Sequence, residues 1–158
     1  VTTLSLTGLG TAASAATPAP ADGGQAIAAG GPQRAQRAGV EAPVLAGDVT
    51  YFRTRGDNPH ITRGEVSVHG WWEKISGKAT KAKVTVWLQA HKGAKWKTVA
   101  TGKRTVGPGS SKRANAREKC KNRTTKVKFR TVVDVDIIGY TDGPEKWYSN
   151  GFTLKCKV

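Results

Sequence analysis

Lys126-Val127-Lys128-Phe129-Arg130-Thr131-Val132-Val133-Asp134-Val135-Asp136-Ile137 alternates apolar and polar side chains from end to end. Successive side chains of a strand point to opposite faces, so a period of two is the mark of a half-buried strand. Val127, Phe129, Thr131, Val133, Val135 and Ile137 form the inward set. Lys126, Lys128, Arg130, Asp134 and Asp136 point outward, with Val132 the one apolar side chain among them.

The same texture extends in both directions. In Lys83 to Ala90, Val84, Val86, Leu88 and Ala90 face inward while Lys83, Thr85, Trp87 and Gln89 face out. Residues 66–72, 95–101 and 151–158 repeat the pattern, the last with Phe152, Leu154 and Cys156 inward, and an earlier strand is expected over Val49 to Arg53. No segment of comparable length carries a helical period. His91-Lys92-Gly93-Ala94 reads as a hairpin loop, and Gly107-Pro108-Gly109-Ser110-Ser111 and Asp142-Gly143-Pro144 as turns. Short strands with one polar face each bury their other faces most economically as two packed sheets. The expected fold is therefore all-β: a single two-sheet antiparallel β-sandwich over residues 46–158, immunoglobulin-like in architecture. A small open barrel is the alternative.

The N-terminal part has a different composition. Residues 1–15 read as the end of a secretory signal peptide, with Ala13-Ser14-Ala15 fitting the small-residue cleavage rule. Residues 16–45 are rich in Ala, Gly and Pro and hold no aromatic residue, so a disordered linker or a removed pro-segment is expected, with a weak helical reading over Arg34 to Val40. The first stretch is too short and too polar to span a membrane. Secretion follows as an expectation, and in an oxidising compartment Cys120 and Cys156 are expected to pair. Two cysteines so far apart, without a CxxC, match no zinc spacing.

The Ala/Gly-rich leader, Val84-Thr85-Val86-Trp87-Leu88-Gln89, Trp96-Lys97-Thr98-Val99-Ala100 and the late cysteine pair resemble small exported β-sandwich proteins of high-GC bacteria. The resemblance covers roughly residues 62 to 158. It implies fold and compartment, and no activity.

Charge is the strongest functional signal. The chain has 158 residues and a formal net charge of +15. Residues 1–45 are balanced, with Arg34 and Arg37 against Asp22 and Glu41, so the whole excess falls on the domain. It peaks between Lys103 and Arg130, where Glu118 is the only acid. From Gly107 to Thr125 no strand pattern is seen, so Lys112, Arg113, Arg117, Lys119, Lys121 and Arg123 are expected on one basic loop. Crowded like charges invite a bound counter-charge, and the expected partners are anionic polymers: teichoic acid, nucleic acid, anionic lipid or sulfated glycan. The competing reading is a solvated coat that blocks edge-to-edge association.

Five tryptophans supply a second reading. Trp71 and Trp72 are adjacent and cannot both face the core, and Trp87 falls on an outward position. Exposed rings stack on sugars or bases, so Trp71 and Trp87 are candidate contacts of a carbohydrate-binding module. Lysine stems and cation–π contacts are the alternative cover for such rings. An inhibitor or toxin acting on a protein partner is a third class.

No catalytic constellation, metal site or cofactor is expected. His60, His69 and His91 stand in separate segments and read as surface or turn residues. Asp134 and Asp136 share a face with Lys128 and Arg130, and charge pairing between strands accounts for them. Arg55-Gly56-Asp57 and the sequon Asn122-Arg123-Thr124 are discounted as chance motifs.

Overall fold

A computed structural model of the protein describes residues 31–38 and 49–158. The signal-peptide reading and most of the linker reading lie outside these residues. Among the described residues there are eleven strands and no helix: β1 (Gln33–Arg37), β2 (Val49–Gly56), β3 (His60–Thr62), β4 (Glu65–Ser76), β5 (Ala82–Lys92), β6 (Lys95–Val106), β7 (Ala114–Lys119), β8 (Asn122–Ile137), β9 (Tyr140–Asp142), β10 (Trp147–Tyr148) and β11 (Phe152–Lys157). Among these residues no helix is long and apolar enough to cross a membrane.

All pairings are antiparallel and fall into two sheets. In the first, β4 is flanked by β7 on one side and by β2 and β3 on the other, and β1 and β9 continue outward from β2. In the second, β8 lies between β5 and the pair β10 and β11, and β6 forms the far edge. The core lies between the sheets, as in a β-sandwich. Val66, Val68 and Trp72 of β4 meet Val84, Val86 and Leu88 of β5 and Phe129, Val133, Val135 and Ile137 of β8. Trp72 is fully buried, contacts Phe52 edge-on at 6.5 Å and donates from its ring N–H to the Val106 carbonyl at 3.1 Å. Buried Trp needs such an acceptor, because an unpaired buried donor costs about 1–3 kcal/mol.

The inward sets of β5 and β8 are as read from the sequence, apart from Val127, which is half-buried. Two outward positions are nevertheless buried: Thr85 of β5, and Val132 of β8 in the row that pairs it with Trp87 and Tyr148. The hairpin between β5 and β6 turns on Gly93, at φ 62°, and Ala94. The edge strands β6 and β7 pass close to each other, and a Cβ on Gly102 would overlap the Asn115 carbonyl. Glycine is required there for backbone approach rather than for its dihedral freedom.

Two expectations need correction. Gln33–Arg37 is a strand, not linker or helix: it pairs with β2 and β9, and Ala35 is fully buried. Its polar composition hid it, because a single small residue supplies its inward contact. Second, the stretch from Gly107 to Thr125 contains β7 and the start of β8. The inward positions of β7 are Ala114 and Ala116, which carry neither the bulk nor the β-propensity that marks a strand in a sequence.

Cys120 and Cys156 form a disulfide with Cα atoms 5.0 Å apart. It links the end of β7 in the first sheet to β11 in the second, so it staples the sandwich rather than a loose loop. Next to it, the Lys121 N–H donates to the Lys157 carbonyl at 2.7 Å and the Cys120 N–H to Gly64 at 3.0 Å.

Candidate functional site

β7 presents the basic residues because of its alternation. Ala114 and Ala116 turn inward, so Asn115, Arg117 and Lys119 share the outer side, opposite His69, Ser67 and Glu65 of β4. Same-face residues on a strand are about 6.5–7 Å apart, which sets the spacing of these cations. Lys112 and Arg113 occupy the turn entering β7, Lys121 the turn leaving it, and Arg123 an exposed position on β8. The six predicted cations thus lie on an edge strand, its flanking turns and the start of β8, not on one loop. Arg104 of β6 reaches the same edge, donating from its guanidinium to the Arg113 carbonyl at 3.4 Å.

Ion pairs engage only some of the cations. Arg55 is bonded to Glu73 and Lys83 to Asp136, each at 2.9 Å. Arg113 lies 4.0 Å from Asp57. Among the described residues, Lys112, Arg117, Lys119, Lys121 and Arg123 have no carboxylate within ion-pair distance. Glu118, their neighbour in sequence, points to the other side of β7.

Trp71 lies on the outer face of the first sheet, opposite Arg55 in register, and is half-buried. Its ring N–H is buried without an acceptor among the described residues. Trp87 lies on the outer face of the second sheet, so the structure does not bring the two predicted ring contacts together. Lys146 stands over the Trp87 ring at 5.9 Å. Nearby, the Arg130 guanidinium lies 4.5 Å from the Trp96 ring and 5.1 Å from the Tyr148 ring, and its Nε donates to Gln89 at 2.7 Å. A shallow hollow of ≈ 160 Å³ lies among Trp87, Gln89, Arg130, Lys146 and Tyr148. The sequence reading names Arg130 among the basic residues and Trp96 among the tryptophans but joins neither to Trp87, and it leaves out Tyr148, although Arg130 and Trp87 both fall on outward strand positions.

Comparison of the chain with protein-family models, with curated proteins and with solved structures finds no match in any of the three.

The histidines depart from expectation. His60 and His69, read as separate, stack at 5.4 Å with their planes 22° apart. The register that pairs His60 with Ser67 makes His69 its diagonal neighbour across β3 and β4. Asp57 receives the His69 backbone N–H and ring Nδ1, both at 2.6 Å. With Asp57 bound to His69 and Arg55 to Glu73, Arg55-Gly56-Asp57 is a structural segment and not a displayed tripeptide. His91 is exposed and meets Trp96 edge-on at 5.0 Å.

Of the two aspartates expected to pair across strands, Asp136 does so. Lys83 and Asp136 are register partners as well as an ion pair, and this contact raises the Lys83 pKa. Burial raises Asp134 above the ordinary carboxylate value, opposed by Lys146. Burial likewise raises Asp142, against the Ile137 N–H that its side chain accepts at 2.9 Å.

Proposed function

We propose that this protein is an exported, non-enzymatic module that binds anionic polymers through the outer side of β7 and its two flanking turns. The observation that carries the reading is the set of exposed cations there without carboxylate partners, Lys112, Arg117, Lys119, Lys121 and Arg123. Each contact to a phosphate or sulfate releases condensed counterions, so such a surface gains affinity at low salt without a shaped pocket. The disulfide accords with an oxidising compartment and hence with export. Teichoic acid, nucleic acid and sulfated glycan share the chemistry that this surface recognises.

The decisive experiment compares two charge variants on immobilised heparin and on insoluble cell wall, eluted with salt. One replaces Lys112, Arg113, Arg117, Lys119 and Lys121 by glutamine. The other removes the same number of charges at exposed Lys78, Lys81, Lys92, Lys95 and Lys97. The β7 variant is expected to elute at much lower salt and to show the flatter salt dependence. Equal losses would show that only net charge acts. Retention of the wild type past high salt, lost in Trp87→Ala, would replace this reading by a carbohydrate-binding one.

A further inference from the structure

The cluster of Asp57, His60 and His69 plays no part in the polyanion reading. It is built by the irregular break between β2 and β3, where Asn58 and Pro59 leave the ladder and the chain resumes pairing at His60. One candidate ligand atom from each of the three residues lies within 4.8 Å of the other two.

The hydrogen bonds define which nitrogen of each ring is available. His60 Nδ1 lies 3.0 Å from the Asn58 carbonyl, which can only accept, so that nitrogen carries the proton. His69 Nδ1 lies 2.6 Å from an Asp57 carboxylate oxygen, again an acceptor. In the neutral rings the lone pair is therefore on Nε2 in both. A ligating histidine ordinarily donates its other ring N–H to a carbonyl or carboxylate, which holds its orientation and raises its basicity. Both arrangements are present here, one on each ring.

We propose that His60 and His69 bind a divalent late transition-metal ion through both Nε2 atoms, with Asp57 and the Asn58 carbonyl orienting the rings. Two neutral imidazoles suit Zn²⁺, Cu²⁺ or Ni²⁺ and not the oxygen-seeking Ca²⁺ or Mg²⁺. Bound nitrogens approach each other more closely than the present ring separation of 5.4 Å, since each lies about 2.0–2.1 Å from the metal. Closing that gap falls to His60, half-buried on three-residue β3. Arg113, 4.0 Å from Asp57, and the net charge of +15 both act against a cation, so the site is a modest one whose remaining positions are left to water.

The test uses the untagged full chain, stripped with EDTA and titrated with Zn²⁺ alone at neutral pH. Calorimetry counts the ions, and histidine ¹⁵N spectra report which ring nitrogen is metallated. One Zn²⁺ per chain is expected, with the Nε2 signals of His60 and His69 shifted and those of His91 unmoved. His60→Ala and His69→Ala should each weaken binding at least about tenfold, and Asp57→Asn about 10–100-fold, while His91→Ala leaves it unchanged. Absence of saturable uptake, metallation at Nδ1, or uptake that follows His91 would overturn the proposal. The wild-type spectra need no substitution, so a folding defect in a variant leaves the test standing.

Discussion

Asp142 shows how a single side chain sets a pH dependence. Burial raises its pKa, Asp136 and Asp134 raise it further, and the Ile137 N–H lowers it. The unfolded chain then releases the proton first, and between the two pKa values the folded state holds more protons. Stability must fall as pH rises through that window, which opens near the ordinary aspartate value of 3.8 and closes at the raised folded value. Asp142→Asn removes the charge and keeps an acceptor for Ile137. Its stability relative to the wild type is expected to increase as pH climbs from about 3.5 to 6.5. Urea denaturation across that range checks it, and a difference that stays flat or shrinks rules out this account of Asp142.

Single elements owe their positions to unequal kinds of support. β5 and β8 are long, alternate apolar and polar side chains and are paired on both sides, so pattern and burial agree except at Thr85 and Val132. Among the described residues β7 has no ladder partner except β4, and it relies on the disulfide to hold its end against β11. Cross-linking residues 36 apart stabilises by about 4 kcal/mol on the chain-entropy view, with native strain able to reduce it. Replacing Cys120 and Cys156 by serine should therefore cost about 2–4 kcal/mol in guanidinium unfolding. Hydrogen exchange should also rise first at Arg117 to Lys121. A loss of stability spread evenly over both sheets would contradict the role given to the staple. β1 is the opposite case, an element of polar side chains held by its register with β2 and by one buried alanine, Ala35.

At the scale of the whole molecule, charge opposes compaction. A net charge of +15 on a chain of 158 residues repels itself, and only part is relieved by Arg55–Glu73 and Lys83–Asp136. Surface interactions are screened over about 10 Å at 0.1 M salt. The melting temperature should accordingly rise as NaCl increases from about 10 to 150 mM, over which the screening length shortens severalfold. Heparin should raise it further in the wild type than in the β7 charge variant. Differential scanning calorimetry would reveal the contrary case, a melting temperature indifferent to salt, in which the charges are spaced too widely to matter for folding.

The sequence by itself determined the all-β class, the inward faces of the long strands, the pairing of Asp136 with a neighbouring cation and the location of the charge. Those properties reside in alternation and composition, which are local and survive without knowledge of partners. Tertiary structure alone decided the rest. It made strands of Gln33–Arg37 and Ala114–Lys119, where alanine provides the inward contact and hydrophobic pattern fades. It placed Trp71 and Trp87 on opposite outer faces, since strand order is not written in the period of any one strand. It also brought His60 against His69 and Asp57, through a register and a chain break that no spacing of residues announces.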